Sequence, residues 1–187
     1  KDYECFQDFT KYCRILDLSR QSVLKSISNS MESVLNNAVN DTVENIKNQS
    51  EIEYHLIGAS FKNSVETFNV HDPFSFKKHF TCISHRRTSH PDYDNLVNYI
   101  SDKYIISRLG LLTGLANSSV QVLSTEHDNL VTLINIMCCL FMRICDNEHL
   151  LYTSFFVGSE DTASNLMLVI NKLLYDTLSP YFVQIKT

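Results

Sequence analysis

The sequence predicts an all-α protein, an elongated bundle of five or six helices, some very long and rod-like. Its four glycines and three prolines in 187 residues are about a third of the usual share of these two helix breakers, which is roughly 12%. Neither occurs before Gly58. An all-β sandwich or barrel needs turn residues roughly every 8–12 positions, so the composition excludes these folds. The sequence also has no G-x-G or G-x-x-x-x-G-K motif that could cradle a phosphate.

The first two helices are predicted from apolar residues spaced three and four apart. This period covers residues 3–46, which contain no glycine or proline, with room for an offset at residues 19–22. It predicts one helix of roughly 65 Å at 1.5 Å per residue. Its polar face has little of the regular charge pairing of a coiled coil, which favours a helix inside a bundle. A second helix is predicted over residues 51–67.

A polar connection is predicted over residues 68–91, with one short helix near residues 76–83. This stretch contains four of the seven histidines. Pro91 suits the first position of the next helix, because its missing N–H would have no partner there. We expect Gly110 and Gly114 to bend or end that helix.

Two further helices complete the predicted bundle. The strongest apolar period spans residues 129–157 and places Gly158 at its C-terminal cap. The last helix is predicted over residues 161–178, closed by Pro180. The most apolar run, residues 131–145, is shorter than the roughly 20 residues that cross a bilayer, so the sequence predicts no transmembrane span.

The whole chain, residues 1–187, is predicted to be a single elongated helical region. It divides into two N-terminal helices (residues 1–67), the polar connection (residues 68–91) and the C-terminal helices (residues 92–187). Because the chain starts at Lys1 without a methionine, we expect a fragment of a longer protein.

The charge and the cysteine content indicate which kinds of partner the protein binds and which cellular compartment it occupies. Sixteen basic and twenty-one acidic side chains give a net charge of −5. The only basic cluster is short (Lys77, Lys78, His85, Arg86 and Arg87), which argues against nucleic-acid binding. The six cysteines are irregularly spaced and form no C-x-x-C pair. We therefore interpret them as reduced cysteines that serve as small hydrophobic residues, which predicts a reducing compartment.

Two groups of residues resemble reactive or metal-binding sites. His79, Cys82, His85 and His90 have spacings that zinc could use, but structural zinc sites usually contain at least two cysteines. We therefore interpret them as a polar loop and predict no metal site and no cofactor.

Cys145 and His149 stand one helical turn apart and could form a thiolate–imidazolium pair, but no third partner accompanies them, and we predict no catalytic residues.

Adjacent cysteines offer a second redox possibility, because Cys138 and Cys139 could form a vicinal thiol switch. On a helix their side chains point about 100° apart, so a disulfide between them would break the helix. Cys138 lies on the apolar arc of the predicted helix, and we interpret it as a core residue.

Glu148 falls near the centre of the apolar arc of the strongest helix, where an unpaired carboxylate would be costly. We interpret it as paired with a cation or with a helix N-terminus on a neighbour, in preference to a catalytic acid. The aromatic set on the same arc is predicted to lie in the core and to hold the last two helices together; it comprises Phe141, Tyr152, Phe155 and Phe156.

The strongest helix also carries a family resemblance. Its series Phe141-Met142, Cys145, Glu148-His149, Leu151-Tyr152 and Phe155-Phe156 resembles the middle part of the third-subunit family of the conserved oligomeric Golgi complex. Leu174-Tyr175-Asp176 with Pro180 adds to the likeness, whereas residues 58–91 show almost none beyond helical pattern. The packing signature suggested by the resemblance is Phe141, Cys145, Glu148, His149, Leu151, Tyr152, Phe155, Phe156, Tyr175 and Pro180.

The resemblance implies a piece of a longer, peripheral protein on the cytoplasmic face of the Golgi membrane. Such a protein would be a non-enzymatic subunit of a vesicle-tethering complex, without cofactor, that acts in intra-Golgi retrograde transport. The implied partners are the other subunits, the second and fourth among them, with SNARE proteins, Rab GTPases and coat proteins. The alternative is a compact Bcl-2-like regulator that binds a partner helix in a groove.

Overall fold

The structure, a computed structural model, describes residues 2–47, 54–67, 76–126, 129–156 and 160–185. These residues form six α-helices and contain no strand, which confirms the all-α prediction. The helices are α1 (Asp2–Lys47), α2 (Tyr54–Thr67), α3 (Phe76–Ser84), α4 (Pro91–Glu126), α5 (Leu130–Phe155) and α6 (Glu160–Ile185).

Helix α1 sets the long dimension of the molecule, since its 46 residues extend about 70 Å. It packs against α2 and α4, and from residue 8 onward its first buried residue is Leu24, followed by Met31, Leu35 and Ala38 among others. Every residue from 8 to 19 is exposed. The N-terminal part of α1 therefore extends beyond the rest of the bundle.

Helix α4 is longer than the sequence predicted. It begins at Pro91, as expected, and Asp92 and Asp94 in its first turn suit the positive end of the helix dipole. Gly110 and Gly114 were expected to bend or end the helix, and they do not end it, because α4 continues through both to Glu126. Each glycine costs about 1 kcal/mol in a helix interior, and the buried side chains on either side of them offset this cost.

Helix α5 begins at a capped end and forms part of the core. The side-chain oxygen of Asn129 accepts hydrogen bonds from the backbone N–H groups of Val131 (3.0 Å) and Thr132 (3.3 Å), which satisfies two donors at the helix start. The helix packs against α2, α3, α4 and α6. By length and composition alone α5 could cross a membrane, which the shorter apolar run of the sequence does not predict. One such helix is weak evidence for a span, since the core helix of a soluble protein meets the same criteria. The predicted cap, Gly158, lies outside the described residues.

Pro180 lies inside α6, so the prediction that it closes the last helix is wrong. A proline lacks the N–H that would bond to the carbonyl oxygen four residues earlier, here that of Asp176. The hydroxyl of Ser179 donates a hydrogen bond to this oxygen at 3.3 Å and thus replaces the missing donor. Buried Leu178 and partly buried Tyr181 keep this end of α6 packed on the core.

One hydrophobic cluster contains buried residues from all six helices. The short helix α3 contributes Phe76, Phe80 and Ile83 to it, although the surrounding stretch was predicted as a polar connection. Residues 85–89 form turns that lead from α3 to His90 and α4.

Candidate functional site

A buried ion pair between Arg108 on α4 and Glu148 on α5 lies at the centre of the bundle. The Arg108 Nε donates to Oε2 of Glu148 at 3.0 Å, and Nη2 of Arg108 donates to Oε1. Both side chains are completely buried, and the guanidinium carbon lies 4.7 Å from the centre of the Phe61 ring on α2. Arg108 is thus the cation that the position of Glu148 required.

The sequence explains why Arg108 faces inward. It stands four residues after Tyr104 and four before Leu112, both buried, and residues at this spacing share one face of a helix. Two fully desolvated charges are tolerated only with good pairing geometry, which the two parallel hydrogen bonds provide. The pair can therefore fix the register of α4 against α5. It also confirms the interpretation that Glu148 is paired with a cation on a neighbouring helix.

A cluster of aromatic rings adjoins this pair through Phe61, which contacts both Arg108 and Tyr104 of α4. The Tyr104 ring makes edge contacts with Phe61 (5.9 Å between ring centres), Tyr152 (5.6 Å) and Phe156 (4.9 Å). Burial, and secondarily the charge of Glu148, raise the pKa of the Tyr104 hydroxyl well above its ordinary value. Tyr104 therefore stays neutral and acts as a packing residue.

The same cluster reaches α3. Phe76 contacts Phe155 (5.9 Å) and Phe156 (5.8 Å), and Phe80 contacts Phe156 at 4.5 Å. These rings join α5 to α3, and through Tyr104 to α4. The sequence predicts that the aromatic set also holds the last two helices together, and these ring contacts do not test that prediction. They add α3 and α4 as partners, which periodicity alone does not identify because it shows an apolar face but not the helix that covers it.

The ten signature residues occupy both the interior and the surface. The interior group is buried and comprises Phe141, Glu148, Leu151, Tyr152, Phe155 and Phe156. Cys145 is half-buried, and the surface group comprises His149, Tyr175 and Pro180. The structure thus places six of the ten in the core.

Cys145 and His149, for which the sequence predicts no catalytic role, have the wrong electrostatics for a nucleophilic pair. Burial, followed by the nearby carboxylates of Asp146 and Glu148, raises the pKa of the Cys145 thiol, so the thiol stays protonated at neutral pH. His149 is exposed. The structure gives the two adjacent cysteines different surroundings, with Cys138 half-buried and Cys139 exposed.

The histidine-containing stretch around α3 does not converge on one point. Among the described residues no group of three potential metal ligands comes together. Cys82 and His85 are exposed, and Nδ1 of His90 accepts a hydrogen bond from the backbone N–H of Asp92 at 3.2 Å. His90 therefore acts at the start of α4.

An exposed apolar surface lies on the projecting end of α1. We call it the N-terminal strip: Phe9, Tyr12, Leu16 and Val23, at helical spacing, with 65%, 64%, 68% and 57% of their areas exposed. Leu16 and Val23 also line a groove of about 410 Å³ against α3 and the start of α4. His79, Cys82, Arg86 and Tyr93 form its opposite wall.

Sequence reasoning missed Arg108 and the N-terminal strip. The signal for Arg108 was its position on the apolar face of α4, the same argument that identified Glu148. The strip had no such signal, because its period matches that of a core-facing helix. Only the lengths and positions of the other helices show that none of the described residues covers it.

Comparison with known proteins identifies the chain's relatives. The family described as "Conserved oligomeric Golgi complex subunit 3, C-terminal" matches residues 65–187. This match confirms the resemblance to the third-subunit family that the sequence predicts. It also includes residues 65–91, most of the stretch that shows little likeness beyond helical pattern.

Individual relatives agree with this match. Conserved oligomeric Golgi complex subunit 3 of Aedes aegypti is 23% identical over 183 residues, which is 97% of this chain and 20% of the relative. The subunit 3 proteins of Mus musculus and Homo sapiens are each 26% identical, over 55% and 51% of this chain and 13% and 12% of their own lengths. The chain therefore spans at most about a fifth of these relatives.

No solved structure matches the chain. The comparisons give no support to the Bcl-2-like alternative, since the family and the relatives agree on one assignment. The chain belongs to the family of conserved oligomeric Golgi complex subunit 3.

Proposed function

We propose that the protein is a non-enzymatic subunit of a Golgi vesicle-tethering complex that acts in intra-Golgi retrograde transport. The observation that carries the proposal is the family match over residues 65–187, together with relatives whose names place them in the conserved oligomeric Golgi complex. In this proposal the chain is one helical region of a scaffold for protein–protein contacts.

The structure supports a scaffold in two respects. A tether needs reach, and α1 alone supplies about 70 Å. It also needs a defined shape, and the buried Arg108–Glu148 pair and the aromatic cluster fix how the helices pack. The two side chains that most resemble catalytic groups are unsuited to catalysis. The carboxylate of Glu148 is paired with Arg108, and the thiol of Cys145 stays protonated because its pKa is raised.

We further propose a peripheral location on the cytoplasmic face of the Golgi membrane. Helix α5 is the membrane-span candidate among the described residues, but its buried residues include Glu148, which pairs with α4 inside the bundle. Alkaline carbonate extraction of Golgi membranes tests this location. The full-length protein is expected in the supernatant, whereas retention in the pellet with an integral marker would contradict a peripheral attachment.

The partners in this proposal are the other subunits of the complex, the second and fourth among them. SNARE proteins, Rab GTPases and coat proteins are partners of the assembled complex. The functional test is replacement: cells that lack the protein are expected to mislocalise Golgi glycosyltransferases, and the full-length protein is expected to restore them. Normal glycosyltransferase location in the depleted cells would refute a role in retrograde transport.

A further inference from the structure

We infer that the N-terminal strip of α1 and its adjoining groove bind an amphipathic helix of another subunit, one whose apolar stripe is flanked by Asp and Glu. This inference rests on the proposed function, since it takes the partner from the same complex. It is carried by three observations: an apolar surface that the described residues leave uncovered, a concave groove continuous with it, and an excess of positive charge around both.

The apolar surface is unusual for a helical segment that no described residue covers. Residues 8–19 are all exposed, yet they include three large hydrophobic side chains of the strip, Phe9, Tyr12 and Leu16. Ile15 and Leu18 are also exposed, but the helical period places them off the strip. A helical segment of about 12 residues without packing is marginally stable in water. Large exposed apolar patches usually mark interaction sites. A partner that buries this surface would stabilise both the segment and the complex.

The shape of the surface suits a helix. The strip from Phe9 to Val23 covers about 21 Å at 1.5 Å per residue, which matches four anchors at helical spacing on a partner. At its C-terminal end it enters the groove between α1 and α3, where Leu16, Val23 and Ile83 form apolar walls. An amphipathic helix places its anchors in such a groove at i, i+3 or i+4, and i+7.

The charges favour an acidic partner. Residues 8–25 contain four basic and two acidic side chains, in a chain whose net charge is −5. The residues that line the groove include Arg20 and Arg86 and no carboxylate. Arg20 is paired with Asp17 and Asp92, but Arg86 makes no ion pair with any described residue. Lys11 and Arg14 also make none within the described part of the chain.

The same charges argue against two other occupants. In a second copy of the chain, the excess positive charge of one strip would face that of the other, which is unfavourable. A lipid surface is flat and attracts clusters of about four to eight basic residues. Here the apolar groove is concave, and Asp8 and Asp17 interrupt the basic residues.

Photo-cross-linking in the assembled complex tests the inference. Benzoylphenylalanine is placed at Tyr12 of the full-length protein, with a matched control at Tyr175, which is equally exposed on α6. We expect the probe at Tyr12 to cross-link to a segment of another subunit with apolar residues at helical spacing and flanking Asp or Glu. The Tyr175 probe should not reach that segment.

Each alternative result has a definite meaning. A cross-link from Tyr12 to lipid, to a second copy, to the protein's own chain or to no molecule, in a complex that assembles normally, overturns the inference and leaves the proposed function intact. If the unmodified protein does not assemble with the other subunits, the proposed function fails, and the inference fails with it.

A charge reversal tests the electrostatic part. Arg86→Glu should lower the yield of the Tyr12 cross-link by about fivefold or more, since an exposed ion pair contributes up to about 1 kcal/mol and the reversal adds repulsion. Arg143→Glu, at an exposed site on α5, should leave the yield unchanged. Replacing the partner's flanking acid with Arg should restore the yield with Arg86→Glu. Equal yields in the two variants would overturn the electrostatic argument.

Discussion

Removing one partner of the Arg108–Glu148 pair is expected to cost far more stability than removing both. Both side chains are completely buried and joined by two hydrogen bonds. In Glu148→Leu the guanidinium stays in the core without its counter-charge, which typically costs about 3–5 kcal/mol. Arg108→Met leaves the carboxylate in the same situation and should cost a similar amount.

The double variant Arg108→Met with Glu148→Leu replaces both charges with apolar groups of similar size. Such replacements are commonly neutral, or stabilising by about 1–4 kcal/mol. The methionine sulfur can also keep a favourable contact with the Phe61 ring, which lies 4.7 Å from the guanidinium carbon. We therefore expect the double variant to be more stable than either single variant by at least about 2 kcal/mol.

Urea unfolding of the chain, followed by circular dichroism at 222 nm, measures these differences. Arg143→Met and Asp146→Leu are matched controls, because both side chains are exposed on α5 and surface substitutions usually change stability by less than about 0.5 kcal/mol. Single-variant losses below about 1 kcal/mol, or a double-variant loss equal to the sum of the two singles, would refute the account of the core pair.

Three further predictions concern other parts of the bundle. Gly110→Ala and Gly114→Ala should each raise the free energy of unfolding by about 0.5–1 kcal/mol, because an added Cβ meets no atom within 4 Å at either site; urea unfolding measures this. Tyr104→Phe should leave stability unchanged or raise it by about 1 kcal/mol, since the buried hydroxyl has no hydrogen-bond partner in the described part of the chain. Glu32→Gln should lower the thermal midpoint at pH 7 but not at pH 2. Lys103 and secondarily Tyr99 donate hydrogen bonds to Glu32 and lower the pKa of its carboxyl group. The stability that the Glu32 carboxylate contributes is therefore present above its unfolded-state pKa of about 4.3, and it is lost as the pH falls through the folded-state pKa.

The outcomes that would contradict these three predictions are distinct. A loss of stability in either alanine variant would show that α4 needs the glycine. A large loss in Tyr104→Phe would show that the hydroxyl is bonded in solution. A difference between Glu32→Gln and the unmodified chain that persists at pH 2 would show that the contact between α1 and α4 does not depend on the carboxylate charge; Glu44→Gln, at an exposed site on α1, is the control.

The sequence was sufficient to predict where the helices lie along the chain, but not which parts of the protein pack against each helix. Apolar periodicity predicted α1 and α5 within a few residues at their described ends, because a continuous amphipathic face is a local property. It could not show that residues 8–19 of α1 face solvent, since that depends on where α3 and α4 lie. The aromatic set on α5 was expected in the core, but its contacts with α3 depend on distant parts of the chain.

The positions of helix-breaking residues did not predict where α4 and α6 end. Gly110, Gly114 and Pro180 are weak helix formers, but tertiary packing outweighed their local preference, and the Ser179 hydroxyl compensated at Pro180. Glu148 was recognised as needing a cation, whereas Arg108 was not identified as that cation. The two residues are forty positions apart, and no local pattern connects them.

The central claim is that this chain is part of a subunit of the conserved oligomeric Golgi complex. Native mass spectrometry of the full-length protein, co-expressed with the other subunits, tests it most directly. The account predicts a stoichiometric assembly that contains the protein together with the second and fourth subunits. If the protein remains monomeric while the other subunits assemble without it, the account is contradicted.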